Sequence, residues 1–179
     1  MAHISVAEKY AGISSLLAHY TDSAKPLMLL AETLLRGEST LTQGERELIA
    51  SYVSTRNECV YCASSHGAAA KHSPGMNAEI VSAVQCDYQN AEISDKLKTL
   101  LTIAGQVQIS GKAVTPDAVA NARAAGATDR EIHDAVLIAA AFCMYNRYVD
   151  GLGTWEPGNP EVYDQMGIVL AEKGYIRER

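Results

Sequence analysis

Hydrophobic residues recur at helical spacing through most of this chain, and no stretch alternates apolar with polar for long enough to mark a strand. The clearest stripe is Leu48, Ile49, Tyr52 and Val53, on a helix that Thr42 and Glu45 open as a capping box. Ahead of it, residues 4–20 and 26–36 read as two helices, the second with Pro26 in its first turn and Gly37 at its end. Behind it, an alanine-rich helix starts near Cys59 and closes at Lys71, His72 and Ser73, where Pro74 and Gly75 block continuation. Residues 77–85 suggest a short helix, and Ser94 caps one whose stripe is Leu97, Leu100, Leu101, Ala104 and Val107. Thr115 with Pro116 starts another, which Gly126 ends.

Thr128 and Glu131 form a second capping box, and the helix they open is apolar on nearly every side from Ala135 to Phe142. That pattern predicts a place in the middle of the molecule. Asn159 and Pro160 open the last helix, with Val162, Tyr163, Met166, Val169 and Leu170 on one face. The expectation is an all-α fold, a single domain of about eight helices over residues 1–179, in which 151–179 forms a C-terminal tail helix.

Composition narrows the function. With 179 residues, 47% of them hydrophobic, the chain can bury one core, and its low aromatic content suits closely packed helices. A net charge of −6 without a cluster of Lys or Arg argues against nucleic acid or an anionic membrane as partner. The longest apolar run, Ala135 to Tyr145, is too short to span a bilayer. Four cysteines behind a charged N-terminus point to a reducing compartment, and cytoplasm is the expected location. Cys86 and Cys143, far from the other two, read as unpaired structural cysteines.

The chemistry-bearing stretch is Glu58 to His66. At about 100° per residue, Cys59, Cys62 and His66 share an arc of about 60° on one helix face. A helix N-terminus favours a thiolate at Cys59, and His66, four residues after Cys62, can take that thiol's proton, so both sulfurs are expected to ionise. Two readings compete. Cysteines also serve as packing residues, and zinc could use Cys59, Cys62, His66 and His72, although His72 reads better as a C-terminal helix residue. A thioredoxin fold would need a preceding strand, and the preceding residues form a helix. On that helix Glu47, Ser51 and Ser54 make a stripe whose small hydroxyls leave room for another helix or a ligand. By spacing alone Glu47 is a solvated carboxylate. Asn146, Arg147 and Asp150, at the polar end of the apolar helix, read as a satisfied ion pair before they read as a site border.

The order glutamate, eleven residues, Cys-x-x-Cys, three residues, histidine is matched by Glu47, Cys59, Cys62 and His66. With the runs Leu41 to Ala50 and Ala125 to Ile132, it resembles the alkylhydroperoxidase D-like (AhpD-like) branch of the carboxymuconolactone decarboxylase superfamily, over a motif core of roughly residues 40–150. The resemblance implies an AhpD-like helical fold and catalytic roles for Cys59, Cys62, His66 and Glu47, with no metal and no bound organic cofactor. It implies thiol peroxidase or disulfide reductase activity toward hydroperoxides or a peroxiredoxin partner, with a lipoyl-type dithiol as reductant. Cys62 would be oxidised and Cys59 would resolve it. A homo-oligomer, trimer or hexamer, is implied too, and the apolar tail face and Trp155 add surface for it. One departure stands out: the best-known members carry histidine where this chain has Tyr61, which predicts a weaker or differently tuned peroxidase. The alternatives are a lactone decarboxylase, which has no need of two thiols, and a zinc-stabilised module without catalysis.

Overall fold

A computed structural model describes residues 2–176; Met1 and residues 177–179, which the single-domain and tail expectations include, lie outside them. The described residues form nine α-helices, in line with the expected all-α fold of about eight, with two short 3-10 turns and no strand. In chain order they are α1 Gly12–His19, α2 Thr21–Arg36, α3 Gln43–Arg56, α4 Val60–Lys71, α5 Ala78–Asp87, α6 Asp95–Ile109, α7 Pro116–Ala124, α8 Asp129–Gly151 and α9 Pro160–Lys173. No helix among them is long and apolar enough to cross a membrane.

The starts that local chemistry marks are where the caps put them. Thr42 with Glu45 and Thr128 with Glu131 close complete capping boxes, and Ser94, Thr115 and Asn159 each accept a backbone N–H from the first turn. The N-terminal region departs from expectation. Residues 2–11 form an irregular strap, held by His3 N–H to the Leu152 carbonyl at 2.8 Å and Gly12 N–H to the Trp155 carbonyl at 2.9 Å. Gly12 turns the strap into α1 at φ 50°, with its backbone so close to the Tyr61 ring that a Cβ would sit 2.4 Å from it. Tertiary contact overrides helix propensity there. Next, α2 begins at Thr21, so Pro26 lies inside the helix; the carbonyl of Asp22 that loses its donor is on an exposed turn, where water can satisfy it.

The most central helix is α3, with Gly44 and every residue from Arg46 to Ser54 buried. The apolar-all-round α8 instead leaves Leu137, Ala140 and Met144 exposed along one stripe. Hydropathy ranks the two helices the other way because α3 buries polar side chains that are all hydrogen-bonded: Arg46 donates to the Leu34 and Gly37 carbonyls at 3.0 and 2.9 Å, and Ser51 to the Ala63 carbonyl at 2.9 Å.

The small stripe on α3 lets α4 come close, and α4 is sandwiched between α3 and α9. The main core joins α2, α3, α5, α6, α7 and α8, while a smaller cluster gathers Cys59, Tyr61, Cys62, Val149 and Tyr163. The tail helix packs on its own chain against α4. Its closest approach is at Gly167, where a Cβ would lie 2.5 Å from the Ala68 carbonyl carbon.

This crossing makes a prediction. Alanine gains helix propensity over glycine by up to about 1 kcal/mol, yet Gly167→Ala should lower stability by roughly 1–3 kcal/mol because backbone, not a flexible side chain, stands in the way. A urea midpoint that stays or rises would refute the close crossing.

Candidate active site

Cys59 is the N-cap of α4, Cys62 lies in its first turn and His66 one turn further on. The turn that delivers them is tight: Glu58 adopts a left-handed φ of 59°, which non-glycine residues rarely take, and the Cys59 N–H returns to the Ser54 carbonyl at 3.0 Å. Both cysteines are free thiols, Cys59 at 0% exposure and Cys62 at 2%.

Glu47 is not solvated. It is fully buried on α3, and each carboxylate oxygen is engaged. Oε2 lies 2.7 Å from His66 Nδ1, while Oε1 takes a 2.6 Å contact from the Arg36 guanidinium and a 2.6 Å hydrogen bond from the Tyr175 hydroxyl. Burial pulls the Glu47 carboxyl upward, but the charge and hydrogen bond of His66, with Arg36 and Tyr175, outweigh it and hold the carboxyl below its usual range. A carboxylate can only accept, so Nδ1 of His66 carries the proton and Nε2 is left as the free ring nitrogen. The ring is fixed on both sides: Phe142 meets it edge-on at 4.5 Å and Tyr175 stacks at 5.9 Å, 14° from parallel. Tyr175 stays protonated, its hydroxyl pushed well up by burial and by the Glu47 charge.

Arg36 and Tyr175 have no counterpart in the sequence motif. Arg36 ends α2 and also donates to the Leu170 carbonyl at 2.9 Å, clamping α9. Tyr175 follows Gly174, whose φ of 67° turns the chain so that the Tyr175 N–H reaches Glu32 Oε2 at 2.6 Å. Only a buried carboxylate in need of donors could have hinted at either residue.

The thiols lie in apolar surroundings on the same helix. Among the described residues no hydrogen bond joins Cys62 to His66, so the structure brings Glu47 and His66 into contact and leaves the cysteines one turn away. Cys59 corrects an expectation: interaction with the Cys62 sulfur, burial and the nearby Asp150 carboxylate push its thiol up, against the ionised form that the helix end alone would favour. Tyr61 is core, 4% exposed, with its hydroxyl 3.4 Å from Ser14 and its ring beneath Gly12.

Asn146, Arg147 and Asp150 make no ion pair among the described residues. Asn146 bridges Ser54 and Asn57 at 3.0 and 2.8 Å, and Arg147 donates to its own helix at the Cys143 carbonyl. Cys143 is half-buried beside Asn57, while Cys86 is exposed and does not pack as a core cysteine would. The four zinc candidates are not gathered: His72 caps α4 and bonds Asp164 at 2.7 Å, and no group of three or more potential ligands among the described residues could hold a metal ion.

An all-helical bundle with a buried glutamate and histidine behind paired thiols is the class that fold and site define. The carboxymuconolactone decarboxylase family model matches residues 21–89, which start and end earlier than the expected motif core of 40–150. Solved structures extend the likeness over most of the chain, and together these findings support a likeness to the AhpD-like/carboxymuconolactone decarboxylase superfamily. A peroxidase-related protein from Ralstonia eutropha, described as an alkylhydroperoxidase AhpD core and as uncharacterized, is 27% identical with a TM-score of 0.75, covering 88% of this chain and 80% of its own. An uncharacterized peroxidase-related protein from Silicibacter is 24% identical with a TM-score of 0.76, covering 85% and 78%. A protein of unknown function from Agrobacterium tumefaciens, provisionally titled an AhpD antioxidant defence protein, is 20% identical with a TM-score of 0.71, covering 89% and 100%. A comparison with curated proteins returns no match.

The Glu47 network sets a pH dependence. Because the folded carboxyl lies below its unfolded value, it contributes stability that is present above the ordinary glutamate range, about 4.3, and lost as pH falls through the folded value. Glu131, brought down to about 2 against the pull of burial by Lys96 and Thr128, adds a similar loss over the same acid range. Glu47→Gln should cost roughly 3–5 kcal/mol at neutral pH, because it strands the buried Arg36 charge, and should flatten the acid loss to what Glu131, Asp134 and Asp164, whose carboxyls are also held low, leave. Urea titrations across pH would check both, and a variant with wild-type acid sensitivity would contradict the assignment.

Proposed function

We propose that the protein is a thiol peroxidase or disulfide reductase in which Cys62 is oxidised, Cys59 resolves it, and Glu47 with His66 moves the proton. The observation that carries this reading is the direct Glu47–His66 contact, made from within the core toward the helix that bears both thiols. A packing role for the cysteines gives no reason to bury a charged carboxylate against an imidazole one turn from them. The raised Cys59 thiol supports the division of labour, since a resolving cysteine is best kept protonated until the sulfenic acid has formed. Cys62 sits in the first turn of α4, where unpaired N–H groups stabilise the anion that attacks.

In the forward step Cys62 gives its proton to Nε2 of His66, directly or through one water, and its sulfur attacks the outer oxygen of a hydroperoxide. The S–O bond forms, the O–O bond breaks, and the departing alkoxide recovers the proton from His66. Glu47 orients the imidazole and steadies its positive charge, and Tyr175 is part of that support. With 2% of Cys62 exposed, hydrogen peroxide and small organic hydroperoxides are the favoured substrates. The disulfide then goes to a lipoyl-type dithiol, or the dithiol serves a peroxiredoxin partner. The same proposal puts the protein in the cytoplasm as a homo-oligomer, trimer or hexamer, with the exposed Leu137–Met144 stripe of α8 as its apolar contact. The seating of Tyr61 in the core leaves His66 as the sole imidazole of the relay, which supports the weaker or retuned activity.

One equivalent of peroxide should remove two free thiols per chain, and Cys59→Ser should leave a trappable sulfenate on Cys62. Glu47→Gln, assayed below its melting temperature, should slow turnover by about 10²–10⁴-fold. A thiol count that does not change with peroxide ends the peroxidase reading, and a sulfenate on Cys59 in Cys62→Ser would reverse the roles.

A further inference from the structure

We infer that the Tyr163 hydroxyl is the hydrogen-bond donor for the oxygen that passes through Cys62, as that oxygen lands on sulfur and again as it leaves. The inference rests on the peroxidase reading and adds a residue from α9 that the motif does not contain.

Tyr163 is 7% exposed, and its hydroxyl is buried with no hydrogen-bond partner among the described residues. A buried donor left unpaired costs on the order of 1–3 kcal/mol, so native structures keep few of them. The other such atom, Nε of Arg36, belongs to a guanidinium whose two terminal nitrogens each have partners. Neighbouring tyrosines have their partners: Tyr61 meets Ser14, Tyr145 donates to the Leu27 carbonyl and Tyr175 to Glu47. Tyr163 alone is idle in the small cluster it shares with Cys59 and Cys62, its ring edge-on to Tyr61 at 6.0 Å.

In the reduced protein no acceptor among the described residues meets this hydroxyl. A thiol sulfur is a poor one, and the hydroxyl bonds neither cysteine. Oxidation supplies it. When Cys62 attacks the hydroperoxide, the S–O bond sets an oxygen in the cluster of Cys59, Tyr61, Val149 and Tyr163, where the Tyr61 hydroxyl already meets Ser14. A sulfenic oxygen there needs a donor, and Tyr163 is the donor left over. Burial, with the charges of Glu156, Tyr61 and the two cysteines, pushes its hydroxyl up to about 12, so it keeps its proton throughout the working range. In resolution the Cys59 sulfur attacks Cys62, the S–S bond forms and the S–O bond breaks. The oxygen leaves with the Cys59 proton and the proton it already holds as water, and Tyr163 supports its departing charge.

Tyr163→Phe removes one hydroxyl and keeps the ring. In a Cys59→Ser background, sulfenate formation at Cys62 on adding hydrogen peroxide, followed by dimedone trapping, should slow on the order of 10- to 100-fold. Alkylation of the same thiol by iodoacetamide, which transfers no oxygen, should keep its rate, and the urea midpoint of the reduced protein should hold or rise because the lost group had no partner. Equal peroxide rates in the two proteins, or peroxide and alkylation rates that fall together, overturn the role of Tyr163 and leave the peroxidase reading standing. No sulfenate even with Tyr163 present overturns both. Should the phenylalanine variant not fold, fluorotyrosines of graded acidity at position 163 give the same test, and an oxidation rate indifferent to that acidity overturns the role.

Discussion

The buried charge of Glu47 is the constraint on which the rest of the arrangement depends. An ionised carboxylate with no exposure is costly unless donors surround it, and nothing on α3 itself can supply them. They come from Arg36 at the end of α2, His66 on α4 and Tyr175 beyond α9. Three segments distant in sequence are thereby drawn onto one residue. Removing any partner leaves a charge without compensation, so the network is cooperative and holds the imidazole in one tautomer as a by-product of satisfying the carboxylate.

Legibility in the sequence followed the range of the interactions. Helix starts at Thr42, Ser94, Thr115, Thr128 and Asn159 were readable because a cap and its first turn lie within a few residues. The small residues after Glu47 likewise leave room for another helix or a ligand, and α4 fills it through Ser51 and Ala63. Arg36 and Tyr175 could not be found that way, since no periodicity ties residue 175 to residue 47. The strap before Gly12 and the early start of α2 failed for the same reason: both depend on what the segment rests against.

The ranking of α3 and α8 shows where hydropathy misleads. It counts Arg46, Glu47, Ser51 and Ser54 as surface, yet each is buried and bonded. Burial of satisfied polar groups is a property of the partner list, and the partner list is tertiary. Cys59 gives the complementary case. Its place at a helix N-terminus argued for a thiolate, but the neighbouring sulfur, burial and Asp150 act at shorter range than the helix dipole and decide the outcome.

Two unlike environments meet on α4, and α9 serves both. Toward Glu47 the helix presents His66 to a charged, fully bonded network, while toward the cluster of Tyr61, Val149 and Tyr163 it presents the thiols to apolar groups. The tail covers the cysteines with Tyr163 and Met166 and, a turn beyond its end, completes the His66 support with Tyr175. It is held along its length by the Asp164 contacts to Lys71 and His72, by the close crossing at Gly167 and by Arg36 on the Leu170 carbonyl. Covering the sulfurs and holding the imidazole are therefore one structural event, so a displacement of α9 that uncovers Cys62 also loosens His66. The irregular strap meets the same cluster through Ala11 and is tied down by backbone hydrogen bonds at His3, Ala7 and Gly12 and by Trp155 Nε1–H on the Glu8 carbonyl, so its hold on the molecule is separate from the contacts of α9.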